Sequence, residues 1–524
     1  MNNKFDFDKH FPFKEERVGQ RDACEQIINH IINGKKIIIL DAPTGSGKSA
    51  IAYTIASYMN DSYFLTSQKI LQKQYEDSFR KFKNGINSIK GKANYNCIKD
   101  SRLQCDMGLC TFTKQNRCGN CPYYVARDKA YSSKNCLLNY KYFLNMANLF
   151  NSPQEKRHLL ICDEAHHLED ELYDYLTVSI KMPDFGKHKV KAPLIPSFKN
   201  KDQAYEWLND VCLLYLKNRH SIEQSSLEML DNKDADRPKL SKKVLFLDSL
   251  ICMIDRFNTE VDHHCGFVIN QDNYGITFKP LLIKSKRFTD HFFRFADVKL
   301  LMSATILDYD IFCRYLGIDK KDVGIVTVPN QFPEKNNTLY FWNTGSMSMK
   351  NRKSTLGDAL EIIDLIIEHN SDSRGIIHTV SNINANELME NLKYNHRLHL
   401  ATGKNREETV KYFQNHSEKD AIIISPSLSE GISLDGAMAD FSIIMKVPFL
   451  NLGDEWNRER LRIDQQWYAL NTVRAIVQMA GRHQRSKDDI CSTHIIDSDF
   501  GRLYRQNKKF FPKEWQHKLD NQIK

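Results

Sequence analysis

The sequence predicts an α/β protein with two parallel-sheet domains and two insertions in the first. Three observations carry that prediction. Short β-branched apolar runs alternate with helical stretches, the pattern of βαβ units. The runs fall into two series, at 35–41, 63–66, 159–163 and 300–303, then at 375–379, 421–425 and 442–447. The chain has 524 residues, more than the ~150 residues of one ordinary domain. At 41% apolar and 27% charged residues it is a normal folded chain, which excludes collagen-like, disordered and mucin-like classes. Mean hydropathy is -0.52, and no apolar run approaches the ~20 residues of a membrane span. The opening MNNKFDFDKHFPF has no basic stretch followed by an apolar one. That predicts no secretory leader and a soluble, cytoplasmic chain with no membrane partner.

Charge and cysteine are both unevenly spread. Lys and Arg number 74 against 65 acidic residues, a formal charge of +9, which is a mild bias toward anionic partners. Residues 81–140 carry 11 Lys and Arg against three Asp and no Glu, and residues 501–524 carry seven against two. Such faces are either plain solvated surface or a path for a polyanion. Thirteen cysteines, an odd number without a leader, argue against a disulfide framework. Five of them, Cys97, Cys105, Cys110, Cys118 and Cys121, fall within 25 residues, and that density asks for a metal.

Taken in chain order, the run KKIIILD at 35–41 is bounded by Gly34 and Pro43 and reads as a buried parallel strand. Ala42-Pro43-Thr44-Gly45-Ser46-Gly47-Lys48-Ser49 follows it and opens a helix. That is the context of a phosphate loop: glycines let backbone N–H groups close on phosphate oxygens, and the helix N-terminus adds partial positive charge. Lys48 would reach the β- and γ-phosphates, and Ser49 would ligate Mg²⁺. The partner carboxylates come at the end of another buried run, in Leu159-Leu160-Ile161-Cys162-Asp163-Glu164-Ala165-His166. Asp163 would hold Mg²⁺ and Glu164 would orient or deprotonate an attacking water. The site is therefore one for the phosphates of a nucleotide with Mg²⁺.

These residues resemble the superfamily 2 helicases. Ser303-Ala304-Thr305 is similar to that family's third motif, which couples nucleotide state to nucleic-acid binding. Ser429-Glu430-Gly431-Ile432-Ser433-Leu434-Asp435 resembles the fifth, with Glu430, Gly431 and Asp435 at the matching positions. Gln478-Met479-Ala480-Gly481-Arg482-His483-Gln484-Arg485 resembles the sixth, where Arg482 and Arg485 match arginines that reach the γ-phosphate and Gln478 lies at the cofactor edge. A transition state with spread negative charge gains most from cations that arrive on closure. Upstream, Arg17 and Gln20 in ERVGQRD resemble the adenine-reading motif.

The cysteine region narrows the resemblance. Lys90-Gly91-Lys92-Ala93-Asn94-Tyr95-Asn96-Cys97 and Cys121-Pro122-Tyr123-Tyr124-Val125-Ala126-Arg127 are similar to the XPD/DinG branch, whose members insert a [4Fe–4S] cluster there. The resemblance implies ligands Cys97, Cys105, Cys110 and Cys121, with Cys118 as the alternate to Cys105. The spacing Cys118-Gly119-Asn120-Cys121 keeps zinc open as the other metal. It further implies two RecA-like motor domains, the first from residues 1–96, 122–180 and 286–330, the second from 331–524. The iron–sulfur insertion would span 97–121, and a mostly helical Arch-like insertion 181–285. The implied activity is an ATP-dependent DNA helicase, monomeric, moving 5′→3′ on single-stranded DNA and opening forked duplex, in repair or replication. Three alternatives remain open from the residues alone: an ATPase acting on RNA, a remodelling factor that does not unwind, and a non-enzymatic single-strand binding module. Lys90, Lys92, Lys99, Arg102, Lys114 and Arg117 interleaved with Tyr95, Phe112, Tyr123 and Tyr124 suit single strands without sequence preference.

Overall fold

The computed structural model describes residues 5–67, 69–82, 85–108, 118–147, 155–231, 234–261, 266–282, 285–330, 333, 336–402, 405, 408–409, 412–413, 420–426, 439–481 and 490–523. Its first sheet takes seven strands: β1 (Ile37–Asp41), β2 (Ser62–Thr66), β3 (Ile86–Ser88), β4 (Asn135–Asn139), β5 (Arg157–Asp163), and, much later in the chain, β9 (Ala296–Ser303) and β10 (Val323–Thr327). Between these lie β6 (Val178–Lys181), β7 (Phe267–Asp272) and β8 (Gly275–Pro280). The first sheet runs β10-β1-β9-β5-β2-β4-β3, and every pair in it is parallel. Alternation along the strands sends Ile39, Tyr63, Leu65, Leu160, Cys162 and Leu301 to one buried face. It sends Ile38, Leu40, Phe64, Leu159, Ile161, Leu300 and Met302 to the other. Both faces are covered, which is why these strands read as unbroken apolar runs.

Register positions the site. Asp41 pairs with Ser303, and Asp163 pairs with Met302, next to it. The carboxyl ends of β1, β9 and β5 therefore finish side by side, on the edge where open parallel sheets bind ligands.

The second sheet comprises β11 (Asn337–Phe341), β12 (Gly375–His378), β13 (Leu398–Leu400), β14 (Ile422–Ser425), β15 (Phe441–Ile444) and β16 (Cys491–Ile495). It runs β11-β16-β15-β12-β14-β13, again parallel throughout. Both sheets agree with the predicted α/β class.

The stretch 181–285 holds long helices at Leu214–Glu228 and Arg237–Glu260, as its pattern predicts. It also holds the hairpin β7–β8, which pairs antiparallel with β6 to make a small third sheet. On β8, buried Ile276 and Phe278 alternate with half-buried Thr277 and Lys279. The cysteine segment reaches this region, with the Arg102 guanidinium donating to Asp234 O at 3.4 Å. Among the described residues, no helix is long and apolar enough to cross a membrane.

Candidate functional site

The loop after β1 is tied to β9 by Ala42 N, which donates to Ser303 O at 3.0 Å. Gly45 and Gly47 take φ of 82° and 80°, a region closed to most side chains. A Cβ on Gly47 would also come within 2.2 Å of Gln20 Nε2. Gly47 then leads into the helix Lys48–Met59, whose free N–H groups point into the loop. Lys48 Nζ donates to Ala42 O at 3.0 Å and Pro43 O at 3.4 Å, so the lysine lies folded along its own loop. Thr44 is exposed and Ser49 half-buried beside it, and Ser46 is buried, its Oγ donating to Pro43 O at 2.7 Å.

Gln20 is buried under this loop. Its Nε2 donates to Ser46 O and Gly47 O, both at 3.1 Å, while its Oε1 accepts from Arg17 N at 2.7 Å. The Arg17 guanidinium donates to Gly45 O. Both residues therefore brace the phosphate loop from outside, with the Gln20 amide engaged at each end.

Asp163 is the last residue of β5 and Glu164 follows in the left-handed region at φ 52°. That turn lifts Glu164 to a half-exposed position beside buried Asp163. Asp163 accepts from Tyr75 OH at 3.1 Å and from Glu164 N at 3.1 Å. Its carboxyl is held above the usual range by burial first, then by the like charge of Glu164. Lys48 and the Tyr75 hydroxyl pull it back. Such a desolvated carboxylate is poised to take a divalent cation. Tyr75, also buried, shares a hydrogen bond with Ser49 and so stands between the two predicted Mg²⁺ ligands. Sequence reasoning missed it; the signal was a lone hydroxyl-bearing ring on the apolar side of the helix Lys69–Phe79. It also missed Tyr309, whose OH donates to Asp41 Oδ2 at 2.7 Å next to Lys48.

A second group crosses from sheet to sheet. His166 Nδ1 meets Ser303 Oγ at 2.8 Å, and Thr305 N donates to the same Oγ at 3.0 Å. Gln478, near the end of the helix Gln465–Ala480, donates from Nε2 to His166 Nε2 at 2.8 Å and to Thr305 Oγ1 at 3.2 Å. The imidazole must then accept at Nε2 and carry its proton on Nδ1. Arg474 on the same helix donates to Thr305 O at 3.1 Å. Three predicted motifs thus meet in one ring of hydrogen bonds. Arg482 and Arg485, and Glu430, Gly431 and Asp435, lie outside the described residues. Arg482 follows Gln478 by four positions in sequence.

In the cysteine segment, an isolated bridge between Asn96 and Gln104 sets Cys97 and Cys105 on adjacent strands of a tight loop. Cys97 N donates to Leu103 O at 2.9 Å, and Cys105 N to Tyr95 O at 2.8 Å. Cys121 begins the helix Pro122–Tyr131, and its thiol lies 3.8 Å from Cys105 Sγ. Cys97, Cys105 and Cys121 are all buried, and Cys118 is half-buried. Burial raises the Cys105 thiol, and neighbouring Cys121 and Cys97 raise it further, a set of soft donors that a bound cation would relieve. Among the described residues, no three His, Cys, Asp or Glu side chains converge closely enough to enclose a metal. Cys110, the remaining predicted ligand, lies outside them. The donors present fit a thiolate-bound metal in kind, two of them in contact. Beside them, Lys92 Nζ sits 5.4 Å from the ring centres of both Tyr123 and Tyr124, and the Arg127 guanidinium 4.8 Å from that of Tyr124.

Comparison with known proteins agrees with this arrangement. Residues 13–190 match the family described as type III restriction enzyme, res subunit. Residues 369–518 match the helicase C-terminal domain family. No curated protein matches the sequence. Among solved structures, an XPD helicase shares 15% identity, with a TM-score of 0.65 over 95% of this chain and 98% of its own. Xpd4 of S. tokodaii shares 14%, with a TM-score of 0.59 over 95% and 99%. The chain thus shares the fold of these XPD helicases, and its two matched segments come in the order res subunit, then helicase C-terminal domain.

Proposed function

We propose that the chain hydrolyses ATP to translocate on single-stranded DNA, 5′→3′, and to unwind forked duplex, acting as a monomer. The observation that carries this reading is the ring joining His166, Ser303 and Thr305 of the first sheet to Gln478 of the second. It links the nucleotide edge to the opposite domain through side chains, as a motor needs.

Each residue has a defined part. Lys48 leaves Ala42 O and Pro43 O to meet the β- and γ-phosphates, and the helix N-terminus it opens faces the same charge. Ser49 and Asp163 would hold Mg²⁺, which would supply positive charge beside the phosphates. Glu164, raised by its left-handed turn, orients the attacking water and takes its proton. Arg17 and Gln20 fix the loop on the adenine side. Arg482 and Arg485, with Gln478, Glu430, Gly431 and Asp435, complete the site from the second domain, so turnover waits on closure. The motor domains are 1–96 with 122–180 and 286–330, and 331–524.

Cys97, Cys105, Cys110 and Cys121 would hold a [4Fe–4S] cluster, with Cys118 as the alternate ligand and zinc as the alternate metal. Ligation supplies folding energy to a segment too short to bury a core. That segment at 97–121 serves as the wedge at the fork. Lys92, Arg127 and Tyr124 beside it offer cations for phosphates and a ring face for a base. With the helical insertion at 181–285, which Arg102 touches at Asp234, it encloses the path of one strand.

The test is ATPase and strand separation on forked DNA and forked RNA of one sequence, with 5′ or 3′ tails. We expect turnover on DNA, unwinding from the 5′ tail, and loss of both in Lys48→Ala, whose far-ultraviolet spectrum stays wild-type. Full ATPase in Lys48→Ala overturns the reading, and a preference for RNA moves it to the RNA-acting alternative.

A further inference from the structure

The seam between the two motor sheets has two ends of very different character. At one end the seam is crossed by hydrogen bonds without a carboxylate partner: Gln478 donates to His166 and Thr305, and Arg474 to the Thr305 carbonyl. At the other, Arg460 on the helix Glu455–Ile463 is fully buried. Its guanidinium donates to Glu169 Oε1 at 2.6 Å and to Tyr173 OH. Four rings surround it, those of Trp467 at 4.1 Å, Tyr315 at 4.8 Å, Trp456 at 5.1 Å and Tyr173 at 5.2 Å. The other oxygen of Glu169 accepts from Trp467 Nε1 at 3.1 Å, and Trp456 Nε1 donates to Pro280 O at 2.6 Å. Alongside, Asp464 caps the helix Gln465–Ala480 through Gln466 N and Trp467 N. Its second oxygen accepts from Arg314 and Tyr315 OH, both at 2.6 Å.

These partners come from every part of the molecule. Glu169 and Tyr173 lie on the helix Leu168–Leu176, which begins five residues after Asp163. Tyr315 follows Ser303-Ala304-Thr305 on the helix Tyr309–Leu316. Pro280 ends β8. Separating a desolvated guanidinium from its carboxylate strands two charges, a far larger cost than exchanging neutral hydrogen bonds with water. A seam that opens each cycle would part at the end whose described contacts hold no ion pair across it.

We propose that Arg460 is the fulcrum of the cleft, a positioning residue for the ATP hydrolysis proposed above, on which this inference rests. Its cage stays shut through the cycle while the Gln478 end opens and closes. From Trp467 to Gln478 the helix runs ~16 Å at its standard rise. A rotation of ~10° at the fulcrum therefore moves Gln478 by ~3 Å, the length of the contacts it must make or break.

Hydrogen exchange on the full chain, with and without Mg²⁺ and a non-hydrolysable ATP analogue, tests this. The expected result is protection gained at 44–50 and several-fold at 474–480, with 455–463 unchanged. Exchange at 455–463 shifting as much as at 474–480 overturns the fulcrum. No protection at 44–50 overturns the nucleotide reading itself and the fulcrum with it. Glu169→Gln keeps the shape and removes the charge. It should lower kcat about tenfold with KM for ATP within twofold, and Glu169→Asp should restore part of kcat. An unchanged kcat in folded Glu169→Gln overturns the proposal.

Discussion

Tyr75 shows how much one hydroxyl can decide. It donates to Asp163 Oδ2 and bonds Ser49, so it sets the spacing of the two proposed Mg²⁺ ligands before any cation arrives. Tyr75→Phe leaves the ring packed against Phe64 and Phe79 and removes only the oxygen. The expected outcome is a several-fold rise in the Mg²⁺ concentration that half-saturates ATPase, with thermal stability nearly unchanged. An unaltered Mg²⁺ titration would show the hydroxyl to be idle. Lys48, Asp163 and Glu164 were legible in the sequence because each sits at a fixed offset from an apolar run that only a buried strand explains. Tyr75 and Tyr309 were not, because their partners lie 88 and 268 residues away and nothing local marks the contact. The Gln20 amide was read as facing adenine; its engagement with Ser46 O and Gly47 O depends on how the helix Gln20–Ile32 docks, which no short motif encodes.

Strands were the most legible elements, since those of both parallel sheets are apolar on both faces. The antiparallel β7–β8 hairpin was hidden, because its half-exposed strands lie between long amphipathic helices that dominate the pattern. On β16, His494 makes an element-scale prediction. Trp342 Nε1 donates to His494 Nδ1 at 3.1 Å, and Ser492 Oγ meets its Nε2 at 3.0 Å, while Tyr340 stacks on the ring. Burial, with His369 adding to it, pulls the folded pKa from 6.5 down to about 4. The unfolded chain then binds a proton at a pH where the folded chain does not, so stability falls as pH drops from 6.5 toward 4. That is roughly 1.6 kcal/mol between pH 6.5 and 5 for a full shift of this size. Calorimetry at these two pH values should show a smaller loss of Tm in His494→Gln than in wild type. Equal losses would place the acid sensitivity elsewhere.

The cysteine segment is an element whose existence the sequence declared and whose interior it did not resolve. Cys105 and Cys121 are in contact at 3.8 Å, whereas Cys118 stays only half-buried. We expect protein purified without oxygen to hold about four irons, Cys97→Ser to lose them together with unwinding while keeping basal ATPase, and Cys118→Ser to retain them. Iron and zinc analysis with the visible absorption spectrum reads all three. Zinc at one ion per chain would replace the cluster, and unwinding by metal-free Cys97→Ser would end the wedge.

At the scale of the whole molecule, the two sheets act as one machine only through what crosses their seam. The ring at Gln478 and the cage at Arg460 both join residues close to 300 positions apart. The sequence announced the partners of the ring by motif, but gave no hint of the cage. Charge is the other molecular property. Within 81–140, which carries the excess of Lys and Arg, Lys92 and Arg127 lie against the ring faces of Tyr123 and Tyr124 beside the cysteine segment. If that face is the track, each phosphate it neutralises releases counterions, and log K falls linearly with log salt at about 0.7 per phosphate on single strands. Four or five contacts then give a slope near -3, roughly a sixtyfold weakening per fourfold rise in salt. Titrating a labelled single strand from 50 to 200 mM salt measures it. Lys92→Ala and Arg127→Ala should each flatten the slope by about 0.7 while leaving basal ATPase intact. A flat wild-type response would move the strand off this face altogether, and unchanged slopes in both variants would move it to cations elsewhere on the molecule.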